Sequence, residues 1–241
     1  MFKENKKLRV FVVFVIILVL ILILKAYLTP KTGSEIFNNS IRSVVELKAS
    51  SNTKGESYGT AVFVNDEGEL VTNAHIITYK DKGEEKCFEE LSIRFADEDK
   101  YHSVRLIKYD MEKDLALLEL EDKTVKFEKM KLGKSKDLYF GQDVYAIGNS
   151  MNYGISITKG IISTPIVNIE YDGNVREVIQ SDLTIASGNS GGALIDQTGK
   201  LVGITAFRTK DNKGNVVYGY AFSIPVEKVI EYIKYSKDKE K

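Results

Sequence analysis

From Ile41 to Ile224 the sequence is a succession of short apolar runs, and this pattern limits the fold more than any other feature. Six come first: Ile41–Leu47, Tyr58–Val64, Leu70–Asn73, Leu91–Phe95, Val104–Tyr109 and Leu115–Leu120. Six more follow: Asp143–Ile147, Ile155–Ser163, Glu177–Asp182, Gly192–Ile195, Leu201–Phe207 and Val216–Ile224. They are rich in β-branched and aromatic residues, which suit a pleated surface, and they are too short for independent helices. Polar turns separate them. Asn65-Asp66-Glu67-Gly68 is one, and Asp196-Gln197-Thr198-Gly199 and Asp211-Asn212-Lys213-Gly214-Asn215 carry the Gly and Asn that tolerate positive φ in hairpin connections. A Lys-rich link through Lys129–Lys136 divides the two sets. The pattern predicts an all-β fold of two six-stranded antiparallel β-barrels, one over 41–128 and one over 141–225, joined by residues 129–140. After Pro225 an amphipathic helix is expected within 226–241, with Val226, Val229, Ile230 and Ile233 on one face and a charged tail from Lys237 to Lys241.

The N-terminal end is of a different character. Val10–Leu24 is an unbroken apolar run bracketed by Arg9 and Lys25, without the polar face that a helix on a soluble core needs. Its length, extended by Leu8, Ala26, Tyr27 and Leu28, suits a membrane-spanning helix over residues 1–28 together with a short cytoplasmic stub. A cleaved secretory signal has the same basic start, but Lys25-Ala26-Tyr27 is a poor small-x-small cleavage site, so an uncleaved signal anchor is the expectation. Lys3, Lys6, Lys7 and Arg9 hold the N-terminus in the cytoplasm and send the remainder outside, a single-pass arrangement. Thr29-Pro30-Lys31-Thr32-Gly33-Ser34 reads as a tether within a linker over 29–40.

Charge cancels over the whole chain, with 34 Lys plus Arg against 34 Asp plus Glu. Five of the basic residues but only one acidic residue fall up to Lys25, so the exported part is slightly acidic and no nucleic-acid partner is expected. Cys87 is the only cysteine, which rules out an intramolecular disulfide and, with only two histidines, disfavours structural zinc; no metal and no cofactor is expected. A phosphate loop is excluded because Gly199-Lys200 is followed by Leu201, with Leu194 where the first glycine should stand. There is no His-Glu-x-x-His, and the acidic residues are too scattered to anchor a two-carboxylate glycosidase site.

Chemistry concentrates in three segments. Gly188-Asn189-Ser190-Gly191-Gly192 sets one serine among residues with little or no side chain, giving a hydroxyl access to a carbonyl and leaving backbone N–H groups bare for an oxyanion. Val71-Thr72-Asn73-Ala74-His75 ends an apolar strand on a histidine, and Asp114 stands at the mouth of the apolar run Leu115-Ala116-Leu117-Leu118. The order His75, Asp114, Ser190 is that of chymotrypsin-type triads and differs from the subtilisin and α/β-hydrolase orders. Ser190 would be the nucleophile, His75 the general base and Asp114 the carboxylate that orients it, with Gly188, Asn189 and Ser190 forming the oxyanion turn. The bland reading gives each of the three a structural role at a strand end or turn. His102, in Tyr101-His102-Ser103-Val104, reads as a surface residue.

With these segments and their neighbours on the page, the chain resembles the trypsin-like serine peptidases of the high-temperature-requirement (HtrA, Deg-type) group, over about residues 41 to 233. The matching stretches include Gly59-Thr60-Ala61-Val62-Phe63-Val64, Gly68–His75, Asp114–Leu118, Ala146-Ile147-Gly148-Asn149, Gly160-Ile161-Ile162-Ser163, Gln180-Ser181-Asp182 and Gly219–Pro225. Departures are Ala61, where the group has a second glycine nearby, and Ser150-Met151-Asn152, where it often has Pro-Phe-Gly. The resemblance implies a serine endopeptidase acting on unfolded or damaged exported proteins, a homotrimer, and loops at Asn149–Ile155, Thr184–Asn189 and Phe207–Tyr218 that switch between ordered and disordered states. It also implies a primary pocket formed by Thr184 and Ile185 with Ala221, Phe222 and Ser223; Thr184 takes the place of trypsin's pocket aspartate, so P1 is expected to be aliphatic rather than basic. Most of the group continues into a PDZ domain, which this sequence is read as lacking. Two alternatives stay open: a non-catalytic, chaperone-like peptide-binding module, and a processing protease with one partner substrate.

Overall fold

The computed structural model describes residues 6–171, 173–210, 213 and 216–237. The stub before Lys6, the tail beyond Lys237 and, apart from Lys213, the turn expected at 211–215 lie outside the described residues. The chain divides into two units, Met1–Lys31 and Thr32–Lys241. The first carries helix α1 (Lys6–Leu28), whose window Leu8–Lys25 has mean hydropathy 3.1 and no buried residue. At about 1.5 Å per residue such a helix is long enough to cross the ~30 Å hydrocarbon layer of a bilayer.

The second unit is built from two closed six-stranded antiparallel barrels, as the strand pattern predicts. The first contains β1 (Val44–Ser51), β2 (Gly55–Phe63), β3 (Glu69–Thr72), β6 (Glu90–Arg94), β7 (His102–Asp110) and β8 (Leu115–Leu120), in the order β1-β2-β3-β8-β7-β6. The second contains β9 (Asp143–Asn149), β10 (Ile155–Tyr171), β11 (Asn174–Ser181), β12 (Ala193–Asp196), β13 (Leu201–Lys210) and β14 (Val216–Pro225), in the order β10-β11-β14-β13-β12-β9.

Why several strands are apolar on consecutive residues follows from where their two faces go. In β8, Ala116 and Leu118 point into the first barrel, while Leu115 and Leu117 join a layer shared by both barrels. Strand β9 does the same from the other side: Val144 and Ala146 fill the second barrel, and Tyr145 and Ile147 enter the shared layer. Val44 and Val62 complete that layer from β1 and β2, so these strands bury both faces and cannot show a polar side. Helix α4 (Val226–Lys237) begins directly after Pro225 and covers the same layer with Val226, Val229 and Tyr232, with Ile230 and Ile233 partly buried against it.

Three features depart from the sequence reading. The tether segment carries a short helix, α2 (Gly33–Asn38), closed by a capping box in which the Thr32 hydroxyl accepts from Glu35 N–H and the Glu35 carboxylate accepts from Thr32 N–H; its Ile36 is fully buried in the shared layer. After the short helix α3 (Ala74–Ile77), residues to which the sequence reading assigns no strand form a hairpin of β4 (Thr78–Asp81) and β5 (Glu84–Cys87), whose turn residues Lys82 and Gly83 both have positive φ. His102 is not a surface residue: it is 8% exposed, its Nε2 lies 2.8 Å from Glu98 Oε2, and its ring meets Phe95 edge-on, because β7 begins at this residue and turns it inward.

Candidate active site

Strand β3 ends at Thr72, and the extended Asn73 starts the single turn of α3 that carries His75. Across from it, the β7–β8 turn brings Asp114 in with φ +53, a left-handed conformation that a short polar side chain tolerates. Asn73 Nδ2 donates to Asp114 O at 2.9 Å, and His75 N–H donates to Asp114 Oδ1 at 3.1 Å, so the backbone and one oxygen of this aspartate are fixed. Both carboxylate oxygens lie 2.9 Å from His75 Nδ1. An ionised carboxylate can only accept, so Nδ1 carries the proton and Nε2 keeps its lone pair, the tautomer a general base needs. The aspartate side chain is 5% exposed and the histidine 41%, which directs the ring's outer edge to solvent.

Ser190 lies on the loop before β12, and that loop is shaped peptide by peptide. The Ser187 carbonyl accepts from Met151 N–H at 2.7 Å, and the Gly188 carbonyl accepts from the Thr60 hydroxyl at 2.7 Å. The Asn189 carbonyl accepts from Gly192 N–H at 2.9 Å and from the Thr205 hydroxyl, while the Ser190 carbonyl accepts from Thr60 N–H at 2.9 Å. In a planar trans peptide the N–H points away from its carbonyl, so anchoring these oxygens aims the Gly188 and Ser190 N–H groups the other way. Among the described residues neither of those two N–H groups has a partner. Asn189 N–H is spent on Ala186 O at 3.1 Å, so the oxyanion turn offers two donors, and Asn189 contributes by position only. Glycine is required here by crowding: a Cβ on Gly188 would stand 2.1 Å from Asn149 O, and one on Gly191 2.1 Å from Thr60 O, both at positive φ.

The serine hydroxyl itself donates to Ala206 O at 2.9 Å, and no hydrogen bond joins it to His75. Both nevertheless line one cleft of about 390 Å³, together with Asp114, Met111, Tyr171, Arg176, Ile185, Ala186, Ser187 and Ala206–Arg208. Of the residues expected in the substrate pocket, Ile185 lines this cleft. Thr184 is exposed outside it, and Ala221, Phe222 and Ser223 are buried in β14, where Phe222 packs against Phe207 and Ser223 pairs with Ile179. The wall that the cleft presents instead is β13, because the shared face of that strand runs past the serine.

Several participants escaped the sequence reading. Thr60 sits in a matching stretch, but nothing in its type announces that it grips the serine loop from the other barrel. Arg176, at the start of β11, reaches Asp114 with Nη1 3.9 Å from Oδ2. The Ser150–Asn152 turn, where the chain departs from Pro-Phe-Gly, has Met151 and Asn152 at φ +57 and +60 and supplies the N–H that holds Ser187.

This arrangement has counterparts in known proteins. Residues 59–204 match the trypsin-like peptidase domain family. The serine protease Do-like HtrA of Lactobacillus helveticus is 32% identical over 207 residues, covering 82% of this chain and 48% of that protein. A DegP-like periplasmic serine endoprotease of Ectopseudomonas mendocina is 31% identical over 202 residues, 84% of this chain and 40% of that protein. The chain therefore spans about half the length of these curated relatives or less. The solved structure of the HtrA-type protease AlgW with a tripeptide superposes with a TM-score of 0.73 at 29% identity, over 85% of this chain and 63% of that one. A family match across both barrels, relatives above 30% identity and a shared architecture agree with one another, and on these grounds the chain belongs to the trypsin-like peptidases of the HtrA type.

Proposed function

We propose that this protein is a serine endopeptidase, held at the membrane by α1 with its barrels outside the cytoplasm, that cleaves unfolded or damaged exported proteins. The observation carrying the reading is the buried Asp114 carboxylate 2.9 Å from His75 Nδ1 in the same cleft as a serine flanked by two bare backbone donors. In the reaction, Ser190 leaves Ala206 O by rotation about χ1 and hands its proton to His75 Nε2 as it attacks the scissile carbonyl. The Gly188 and Ser190 N–H groups receive the developing oxyanion. The imidazolium, stabilised by Asp114, then protonates the leaving amine, and water repeats the sequence to release the acyl group. The basic residues Lys3, Lys6, Lys7 and Arg9 ahead of the apolar run, together with the periplasmic relative, support the orientation. The homotrimer implied by the resemblance belongs to the same reading, and light scattering on the detergent-solubilised protein tests it.

Hydrolysis of casein by the purified full chain, with Ser190→Ala as the control, tests the chemistry. Loss of at least ~10³-fold in the variant, with fluorophosphonate labelling of Ser190 in the unsubstituted protein, is expected. The bond from Ser190 Oγ to Ala206 O favours a second reading, a fold that holds extended chains without cutting them. Peptide binding equal in both proteins, with no labelling, would establish that alternative. Accumulation of one exported protein rather than many in a Ser190→Ala strain would single out a dedicated processing protease.

A further inference from the structure

Asp114 is almost fully buried, and its two oxygens are treated unequally. Oδ1 takes the His75 N–H, whereas Oδ2 faces the second barrel. What stands there is the Arg176 guanidinium, 11% exposed, with Nη1 3.9 Å from Oδ2. Arg176 is placed deliberately. Its Nη2 donates to Met111 O at 3.1 Å, the carbonyl that also accepts from Asp114 N–H and so closes the turn presenting the aspartate. Its guanidinium centre lies 5.6 Å from the Tyr171 ring and 5.9 Å from the Phe207 ring, and those two rings stack at 3.9 Å. Its Nε is buried with no partner among the described residues. A buried cation is costly unless a charge answers it, and a buried carboxylate has the same need.

From this geometry we infer that Arg176 is a positioning residue for the proposed catalytic pair: a fixed cation, delivered by the second barrel, that orients Asp114 against His75. The inference rests on the serine-peptidase reading. Other charges near Asp114 do not substitute for it. Asp110 and Lys113, on its own turn, pair with each other, and Glu112 stands beside them toward a separate cavity; Arg208 of β13 donates to Ile185 O; Glu177 of β11 is engaged by Lys228 of α4; Tyr171 presents its ring. The role is electrostatic and geometric together. A cation on the far side of Asp114 attracts the carboxylate and fixes its rotation, with both oxygens kept 2.9 Å from Nδ1. It also ties the two barrels at the point where nucleophile and base must meet.

The test uses the full chain with Arg176→Met, which keeps an unbranched stem without the charge, and Arg176→Lys, which keeps the charge. The Met variant is expected to lose on the order of ten-fold in kcat with KM within about two-fold, well short of the ~10⁴-fold cost of disabling the orienting carboxylate. Lys restores kcat in part, because the charge returns without the second guanidinium donor that holds Met111 O. The low-field proton resonance of His75 Nδ1–H, read in a Ser190→Ala background, shifts in the Met variant and returns toward its original position with Lys. That spectrum needs no hydrolysis, so it decides the inference even if the peptidase reading fails, whereas absence of hydrolysis in the unsubstituted protein counts against that reading alone. A Met variant with unchanged kcat and an unchanged His75 resonance overturns the proposal, even if it melts at a lower temperature.

Discussion

Thr60 is where one hydroxyl does the most, and Thr60→Val isolates it because the two side chains have nearly the same shape. The residue is fully buried. Its hydroxyl donates to Gly188 O at 2.7 Å and accepts from Asn149 N–H at 2.9 Å, so valine orphans a carbonyl and an amide at once. Each buried group left unpaired costs about 1–3 kcal/mol, so a loss of about 4 kcal/mol is expected. At about 2–4 °C per kcal/mol for a body of this size, the melting temperature falls by roughly 12 °C. The Thr60 N–H bond to Ser190 O survives, since valine keeps it. Activity should fall further than stability accounts for. The Gly188–Asn189 peptide lies between the two bare donors, and once its carbonyl is released the turn that spaces the Gly188 and Ser190 N–H groups loosens. Calorimetry and kcat measured per folded molecule separate the two effects, with Thr60→Ser, which retains the hydroxyl, as the control. A valine variant melting within about 1 °C of the parent with unchanged kcat would refute the reasoning.

Met151→Pro removes the N–H that holds the Ser187 carbonyl and, because proline cannot adopt the φ of +57 found there, also reshapes the turn, so kcat is expected to fall by at least the ~10²-fold that loss of an oxyanion donor costs, read by steady-state kinetics alongside circular dichroism to check the fold. Among peptides with Val, Phe or Arg at P1, Arg is expected to be the poorest, because Arg176 and Arg208 line the cleft and no exposed carboxylate does; a clear Arg preference in kcat/KM contradicts this. Asp81 is held at about 2 by hydrogen bonds from Lys54 and then Lys86, below its ordinary 3.8. Its folded value is depressed, so the stabilisation of the β4–β5 hairpin is present above its ordinary value and fades as pH falls toward 2; hydrogen-exchange protection in that hairpin, taken relative to the intrinsic rate at each pH, should fall over this window and do so less in Asp81→Asn.

The strand pattern was legible because barrels demand short runs between tight turns, and the strands with both faces buried carry their apolar residues consecutively, as Leu115–Leu118 does. Helix α2 was hidden by its own composition. Pro30 and Gly33 signal a break, while the capping box Thr32–Glu35 ahead of Ile36, the feature that signals a helix, is short. The β4–β5 hairpin was hidden because six of the ten residues from Thr78 to Cys87 are charged, and an exposed two-stranded ribbon needs no apolar alternation. At the site, the chemically distinctive residues could be read and their supports could not. A histidine, an aspartate and a serine in glycine-rich surroundings carry chemistry in their types. Thr60 and Arg176 act through an approach between barrels that local pattern does not encode. Thr184, Ala221, Phe222 and Ser223 were assigned by position relative to the serine, and β14 buries the last three behind the cleft wall that β13 supplies.

The grip of Thr60 on the serine loop bears on how this two-barrel unit could be divided. Cut within the connecting segment 129–140, the C-terminal half would retain the proposed nucleophile yet lose the hydroxyl and amide that mould the turn around it, along with the proposed base. Neither fragment would be reactive by itself, and a fluorophosphonate would report their reassociation, making the inter-barrel seam a natural point for a split-protein reporter.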